Sequence, residues 1–118
     1  MENYLKVYSG RIRGVVAQDD EMAIAAIQAI DNSDLKAGKD IQVIGFDATA
    51  DGFKHLISGE LYADVEHSPL LAPQVYDAAL RGLNGDTATT KLISAEERTF
   101  LASQGADFLM QQLGHSKY

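Results

Sequence analysis

The sequence predicts an α/β fold: a three-layer sandwich in which a small parallel sheet lies between helices. Two observations support this prediction. Three short runs, at 12–17, 41–46 and 61–65, are apolar and β-branched or alternate in polarity, as strands do. Segments with helical periodicity separate these runs, which is typical of βαβ units with right-handed crossovers. A chain of 118 residues is expected to form a single domain, 1–118.

The first half of the chain contains two predicted helices and two predicted strands. A helix over 2–8 ends at a Ser-Gly pair and is followed by the strand 12–17. The helix 22–30 is apolar on most sides, which indicates that it packs closely against the sheet. The strand 41–46 is almost continuously apolar, as expected for a strand buried on both faces.

The second half begins with a short helix over 50–57, which Gly59 ends, and the strand 61–65. Pro69 then favours the start of a further helix, because proline is tolerated in the first turn. Beyond Asn84 the pattern is less regular. Three short elements are predicted there: a strand at 91–93, a strand at 99–101 and a helix at 106–113.

The composition argues against several classes of function. The chain has 10 Lys and Arg residues against 17 Asp and Glu residues and contains no basic cluster, so we expect no nucleic-acid partner. It has no cysteine, which removes disulfide and thiolate chemistry. No apolar run approaches the roughly 20 residues of a membrane span, and the N-terminus has no signal-peptide pattern. We therefore expect no membrane insertion and no export signal of its own.

Polar residues follow each of the three predicted strands. Because ligands bind beyond the carboxyl ends of an open parallel sheet, these residues are expected to share one site. Asp19 follows the first strand, Asp47 the second, and Glu66 with His67 the third. These four are the candidate ligand-binding residues.

The neighbouring polar residues have simpler expected roles. Asp20 is expected to be the N-cap of the helix that follows, and Glu21 to favour its first turn. Thr49 is better placed than Asp47 to cap the next helix, which leaves Asp47 for a ligand. A metal site made of Asp19, Asp20, Asp47 and Glu66 is chemically open, since hard cations prefer carboxylate oxygens, but the spacing does not specify one.

No catalytic or cofactor motif accompanies these acids. The sequence contains no Gly-x-Ser-x-Gly elbow and no Gly-x-x-x-x-Gly-Lys-Ser/Thr phosphate loop. We therefore predict a protein that is not an enzyme, with no cofactor and no metal.

Three segments resemble a known family in their order and spacing. They are A-Q-D-D-E-M-A at 17–23, G-F-D-A-T-A-D-G at 45–52, and A-D-V-E-H-S-P at 63–69. Together they look like the periplasmic sugar-binding proteins of ABC transporters, in the ribose-binding-like type I branch. The stretch V-E-H-S-P-L-L-A-P-Q at 65–74 is especially similar to the galactofuranose-binding proteins.

The resemblance implies that the chain is an incomplete Rossmann-like lobe, the C-terminal lobe of that two-lobed fold. Asp47 matches the family's ligand-binding aspartate, and Glu66 and His67 lie where the family places a polar contact at the hinge. Asp19 stands where the family usually has asparagine. An amide donates and accepts hydrogen bonds whereas a carboxylate only accepts, so this change and His67 affect which sugar is bound.

The resemblance also implies partners and a location. The expected ligand is a monosaccharide, either a pentose, a hexose or a galactofuranose-like sugar. The expected protein partners are an N-terminal lobe that completes the cleft and a membrane permease, with the full-length family in the periplasm. Residues 87–118 would cross the hinge. The strand 12–17 would be a sheet edge without its usual neighbours, and we expect it to pair with a second copy of the chain.

Two other classes of protein are alternatives, a receiver-like domain of fitting length and a LacI-type effector lobe that shares the fold. A receiver-like signalling domain has an acidic Mg²⁺ and phosphoryl pocket resembling Asp19, Asp20 and Asp47, but it places two helix–strand units between the acid pair and the acceptor, whereas here there is one. The effector lobe of a LacI-type repressor usually has serine in the first motif and F-D-D in the second. This sequence has no serine in A-Q-D-D-E-M-A and has F-D-A where the repressors have F-D-D.

Overall fold

The computed structural model describes residues 1–8, 10–85 and 97–115, the last of these without its side chain. The helices and strands follow one another in the order α1 (Glu2–Val7), β1 (Gly14–Val16), α2 (Asp20–Asp31), β2 (Gln42–Asp47), α3 (Ala50–Ser58), β3 (Ala63–Glu66), α4 (Ala72–Leu83), β4 (Thr99–Leu101) and α5 (Ala106–His115), with a 3₁₀ turn at Ala102–Gln104. The predicted α/β class is confirmed.

The chain forms two compact units. The larger unit contains the residues up to His67 and those from Arg98 onward, and the smaller one contains 68–97. The larger unit holds the sheet and every candidate site residue. In the smaller unit the described structure is mainly α4, an amphipathic helix with exposed Val75 and Tyr76. The prediction of a single domain stays a prediction.

The sheet of the larger unit has the order β1-β2-β3-β4. The pairs β1–β2 and β2–β3 are parallel, as predicted, with Asp47 opposite Glu66 at the carboxyl end. The short strand β4 runs antiparallel to β3. The physical reason is that the chain leaves β3 at Glu66 and enters β4 from the same end of the sheet, where the Glu66 N–H donates to the Arg98 carbonyl at 2.8 Å.

The core lies between the sheet and the helices α2, α3 and α5. α2 packs on β1, β2 and α3, and α3 packs on β3 and α5. The rings of Phe53 on α3 and Phe100 on β4 are in tilted contact, with centroids 4.8 Å apart. The largest fully buried apolar side chains come from all of these layers and from the loops between them: Ile27, Ile30, Ile41, Val43, Leu56, Leu61 and Leu109.

The two faces of β2 differ in burial. Val43 and Gly45 face α2 and are buried, whereas Ile44 and Phe46 on the opposite face are only half-buried. The expectation that β2 is buried on both faces is therefore wrong in the described structure. A continuous apolar run shows that a strand can be covered on both sides, but the burial itself depends on which elements pack there.

Several boundaries differ from the sequence-based expectation. β1 covers only 14–16, and β3 begins at Ala63 although Leu61 before it is fully buried. α4 begins at Ala72, so Pro73 lies in its first turn and Pro69 precedes the helix. Either proline fits a first turn, and local sequence does not choose between them. The strand at 99–101 and the last helix are confirmed, and the expected strand at 91–93 lies outside the described residues.

In the described part of the chain, none of the helices combines the length and the apolar character that crossing a bilayer requires.

Candidate functional site

The carboxyl ends of β1, β2 and β3 lie at one edge of the sheet. Asp47 is in register with Glu66, and β1 stays paired with β2 up to the Ala17 N–H, which donates to the Ile44 carbonyl at 2.9 Å. The polar segments 18–20, 47–49 and 66–67 therefore meet at this edge, which we call the strand-end rim. All four predicted ligand residues lie on it.

Asp19 is the N-cap of α2. Its backbone is extended (φ −152°), and its Oδ1 accepts a hydrogen bond from the Met22 N–H at 2.6 Å. The side chain is half-buried. The prediction that Asp20 caps this helix is wrong. Both acids precede the apolar run, and only the direction in which the chain leaves β1 decides which of them reaches the first free N–H groups.

Asp20 points into the core instead. It is 1% exposed, and its Oδ2 accepts from the Thr49 N–H at 2.8 Å and from the Thr49 hydroxyl at 2.7 Å. Asp64, a β3 residue that is 0% exposed, lies beside it and accepts from the Ala48 N–H at 3.2 Å through its Oδ1. Two buried aspartates thus hold the backbone of residues 48 and 49, directly behind the rim.

The turn that they hold has an unusual backbone. Asp47 has φ +105° and Ala48 has φ +55°, the two positive values among the described residues other than glycine. Such conformations cost about 1–3 kcal/mol each and persist only where the surroundings fix them. Three hydrogen bonds from Ala48 and Thr49 to the buried aspartates supply that restraint. The result is that the Asp47 side chain is presented at the rim by a fixed turn.

Two glycines make room for the buried pair. A Cβ atom on Gly45 would lie 2.6 Å from Asp20 Oδ1, and one on Gly52 would lie 2.6 Å from Asp64 Oδ2. Both distances are far below van der Waals contact. The glycines of the G-F-D and D-G-F segments are therefore required by packing against carboxylates.

Burial raises the pKa of Asp64 from its ordinary value of 3.8 to about 7. Loss of hydration is the largest cause, since it disfavours the charged form, and the negative charge of Asp20 adds to it. The hydrogen bond from Ala48 acts in the opposite direction and lowers the pKa. Asp64 therefore takes up or releases its proton near neutral pH.

Asp47 and His67 are the two candidate residues whose side chains meet. The His67 Nδ1 lies 3.5 Å from Asp47 Oδ1, and the two side chains are 68% and 36% exposed. The pair is an ion pair only when the imidazole is protonated, whereas a neutral ring that carries its proton on Nδ1 can still donate to the Asp47 carboxylate. Both side chains remain accessible at the rim, as ligand contacts require.

Glu66 is engaged by an arginine that sequence reasoning missed. Arg98 Nε donates to Glu66 Oε2 at 2.9 Å, and Arg98 Nη2 donates to Oε1 at 3.0 Å, a bidentate pair. The Arg98 guanidinium also lies 5.0 Å from the centre of the Phe100 ring and donates to Gln112 Oε1. No sequence signal points to Arg98, which is 32 positions from its partner. A ligand role for Glu66 stays a prediction.

The geometry gives no support to a metal site at the rim. Within the described ranges, no three His, Cys, Asp or Glu side chains are grouped as metal ligands. The side chain of Asp20 is buried and its Oδ2 accepts from Thr49, so it is not open at the rim to share an ion with Asp19 and Asp47.

The structure is similar to solved sugar-binding proteins over almost all of its length. A galactofuranose-binding protein has 32% identity and a TM-score of 0.78, with 99% of this chain and 40% of that chain covered. The arabinose-binding component of an ABC transporter from Shewanella sp. ANA-3, solved with L-arabinofuranose, has 34% identity and a TM-score of 0.76, covering 99% of this chain and 41% of that one. The fold is thus the lobe fold of the type I periplasmic sugar-binding proteins.

Sequence comparison gives the same class. The chain is 35% identical to the galactofuranose-binding protein of Escherichia coli over 103 residues, which are 86% of this chain and 32% of that protein. It is 37% identical to the ribose import binding protein of Bacillus subtilis over 95 residues, 80% of this chain and 30% of that protein. The chain is similar in sequence to these sugar-binding proteins and spans about a third of their length. No model of a known protein family matches the sequence.

We expect Gly52→Ala to lower the free energy of unfolding by about 1–3 kcal/mol, because the new methyl group would overlap the carboxylates of Asp20 and Asp64. Elsewhere in a helix, replacing glycine by alanine stabilises by up to about 1 kcal/mol. Gly114→Ala in α5 is the matched control, since a methyl there meets no atom within 4 Å. Urea unfolding of both variants measures the difference. Equal stability of the two would contradict the packing argument.

We expect Asp19→Ala to destabilise the fold by about 1 kcal/mol, because α2 loses its N-cap. Asp19→Asn is the control, since an amide oxygen also accepts from the Met22 N–H. Thermal unfolding compares the three proteins. A loss of the same size in the asparagine variant would show that the charge, rather than the cap, provides the stabilisation.

Proposed function

We propose that this chain is a sugar-binding lobe that acts without catalysis, as part of the substrate-binding component of an ABC importer. The observation that supports this most directly is Asp47, displayed at the strand-end rim by a restrained turn and placed 3.5 Å from His67. A carboxylate accepts hydrogen bonds from sugar hydroxyls, and such charge-assisted bonds are stronger than neutral ones.

The other rim residues add complementary contacts in this proposal. Asp19 uses Oδ1 for the helix cap, which leaves Oδ2 for a sugar hydroxyl. His67 supplies a ring that donates or accepts according to its protonation. The Glu66–Arg98 pair borders the site and fixes the position at which the chain leaves β3.

The relatives support a monosaccharide ligand. Their names specify galactofuranose, fructose and ribose, and the solved neighbour from Shewanella holds arabinofuranose. Several of these sugars have five-membered rings. We therefore propose a pentose, a hexose or a galactofuranose-like sugar as the ligand, a periplasmic location, and a membrane permease as the partner that receives it.

The geometry of the rim does not support the two alternatives, a receiver-like domain and a repressor effector lobe. A receiver needs several carboxylates open to one Mg²⁺ ion, and here Asp20 is buried and bonded to Thr49. The neighbours and relatives reported above are sugar-binding proteins.

Binding by this chain alone is expected to be weak. The chain spans about a third of its relatives, so the rim supplies the contacts of one lobe only. A millimolar dissociation constant, about 4 kcal/mol of binding free energy, is the expected scale. Titration of the ¹⁵N-labelled chain with galactofuranosides, arabinose, ribose and fructose should shift the amide signals of the rim. A submicromolar dissociation constant for this chain alone would contradict the single-lobe argument.

We expect Asp47→Asn to weaken sugar binding about tenfold or more, because a hydrogen bond to a charged group contributes about 1.5–3 kcal/mol. Asparagine tolerates positive φ, so the fold should be unchanged. Asp51→Asn is the matched control, since Asp51 is an exposed α3 residue paired with Lys54. The same NMR titration measures both variants. Equal affinities would remove Asp47 from the site and with it the main support for the proposed function.

We also propose that two copies of the chain pair through β1. This strand pairs only with β2 among the described strands, and its residue Val16 is 68% exposed. Sedimentation equilibrium should show a dimer that Val16→Lys disrupts, because lysine on an edge opposes strand pairing. Val7→Lys, on the exposed surface of α1, is the control. A monomer at high concentration would refute the pairing.

A further inference from the structure

Asp20 and Asp64 each have one oxygen atom without a hydrogen-bond partner. Asp20 Oδ1 and Asp64 Oδ2 are inaccessible to solvent and accept no hydrogen bond in the structure. Two ionised carboxylates in contact would be destabilised both by lost hydration and by mutual repulsion. A single proton removes one charge and lets one carboxyl group donate to the other.

We propose that Asp20 and Asp64 hold one proton between them, and that this pair is the device that positions Asp47 for ligand binding. The part concerning the ligand rests on the proposed function. Asp20 and Asp64 are positioning residues, since the side chains of both are buried behind the exposed surface of the rim. They act on Asp47 through the N–H groups of Ala48 and Thr49.

Among the residues that the structure describes, none places a positive charge against the pair that could replace the proton. From the end of β2, Asp47 adds a negative charge that raises the pKa of Asp64 further. α3 meets the pair with Gly52, and its Asp51 and Lys54 pair with each other at the surface. β4 places Phe100 opposite Asp64. No described Lys, Arg or His forms an ion pair with either buried aspartate.

The charge of the pair then determines how the turn at 47–49 responds to pH. In the protonated pair, the Asp20 and Asp64 oxygens stay together and the three bonds to Ala48 and Thr49 keep their geometry. When the proton leaves, two negative charges remain in a site where the backbones of Gly45 and Gly52 lie close against the carboxylates. Repulsion separates the carboxylates, and the strained turn loses its restraint.

Stability and binding depend on pH in different ranges. Asp64 titrates at about 7 when folded and at 3.8 in its ordinary state, so between these values the folded chain binds the extra proton. The unfolding free energy therefore falls as the pH rises from about 4 to about 7, and this contribution is constant above that. Sugar affinity depends on the folded chain alone, and because the protonated pair is the binding form in this proposal, affinity falls by up to about tenfold for each pH unit above the midpoint.

The test follows the carboxyl carbons of the aspartates and the backbone amides by NMR from about pH 5 to about pH 9 in the full chain. One buried carboxyl signal should titrate near neutral pH, and the Ala48 and Thr49 amides should move with the same midpoint. Asp64→Asn should abolish this midpoint and retain the fold, because the asparagine amide donates to Asp20 and its oxygen accepts from Ala48. Asp20→Asn is the reciprocal variant, and Asp51→Asn should leave the midpoint in place.

Two results would overturn the inference. Both buried carboxyl groups could titrate near their ordinary pKa, or a neutral midpoint could appear without any response of Ala48 and Thr49. The sugar titration is a separate measurement. Affinity that falls above neutral pH in the parent chain and is constant in Asp64→Asn supports positioning, and pH-independent affinity in the parent chain refutes it. If no sugar binds at any pH while the amides titrate as expected, the proposed function fails and the proton-sharing pair stands.

Discussion

The contact between the buried carboxyl groups of Asp20 and Asp64 is the interaction on which the rest of the site depends. It joins the first turn of α2 to the middle of β3, and its hydrogen bonds to Ala48 and Thr49 fix the end of β2. These buried contacts therefore hold the carboxyl ends of β1, β2 and β3 together on the core side of the rim. A site of this kind does not need a rigid loop of its own, because polar groups inside the core restrain it.

This arrangement also explains residues that are not among the proposed ligand contacts. Gly45 and Gly52 lie against the carboxylates, and Thr49 both caps α3 and donates to Asp20. A buried polar network is stabilising only when its members are satisfied, so each of these positions tolerates few side chains. In this chain Gly45, Gly52 and Thr49 support the two buried aspartates. The aspartates in turn restrain the turn that carries Asp47.

The proposed function depends on the separation of these two roles. Asp47, His67 and Asp19 are accessible and can meet hydroxyl groups, whereas Asp20 and Asp64 are sealed from water and hold the shape. Glu66 has a third role, because its side chain pairs with Arg98, the residue directly before β4. The consecutive acids 19–21 are therefore a cap, a core residue and a first-turn residue. They do not form one anionic pocket.

The sequence by itself determined the fold class, the parallel direction of β1 to β3 and the location of the four polar residues at the rim, because hydrophobic periodicity and the residues that follow each strand are local properties. It did not determine which of Asp19 and Asp20 caps α2, the direction of β4, the pairing of Glu66 with Arg98 or the presence of Asp64 beside Asp20. Each of these depends on contacts between residues far apart in the chain. The pKa of Asp64 illustrates the limit, since tertiary burial is the largest cause that raises it and the charges of Asp20 and Asp47 add to it, and none of these is visible in the neighbours of Asp64 along the chain.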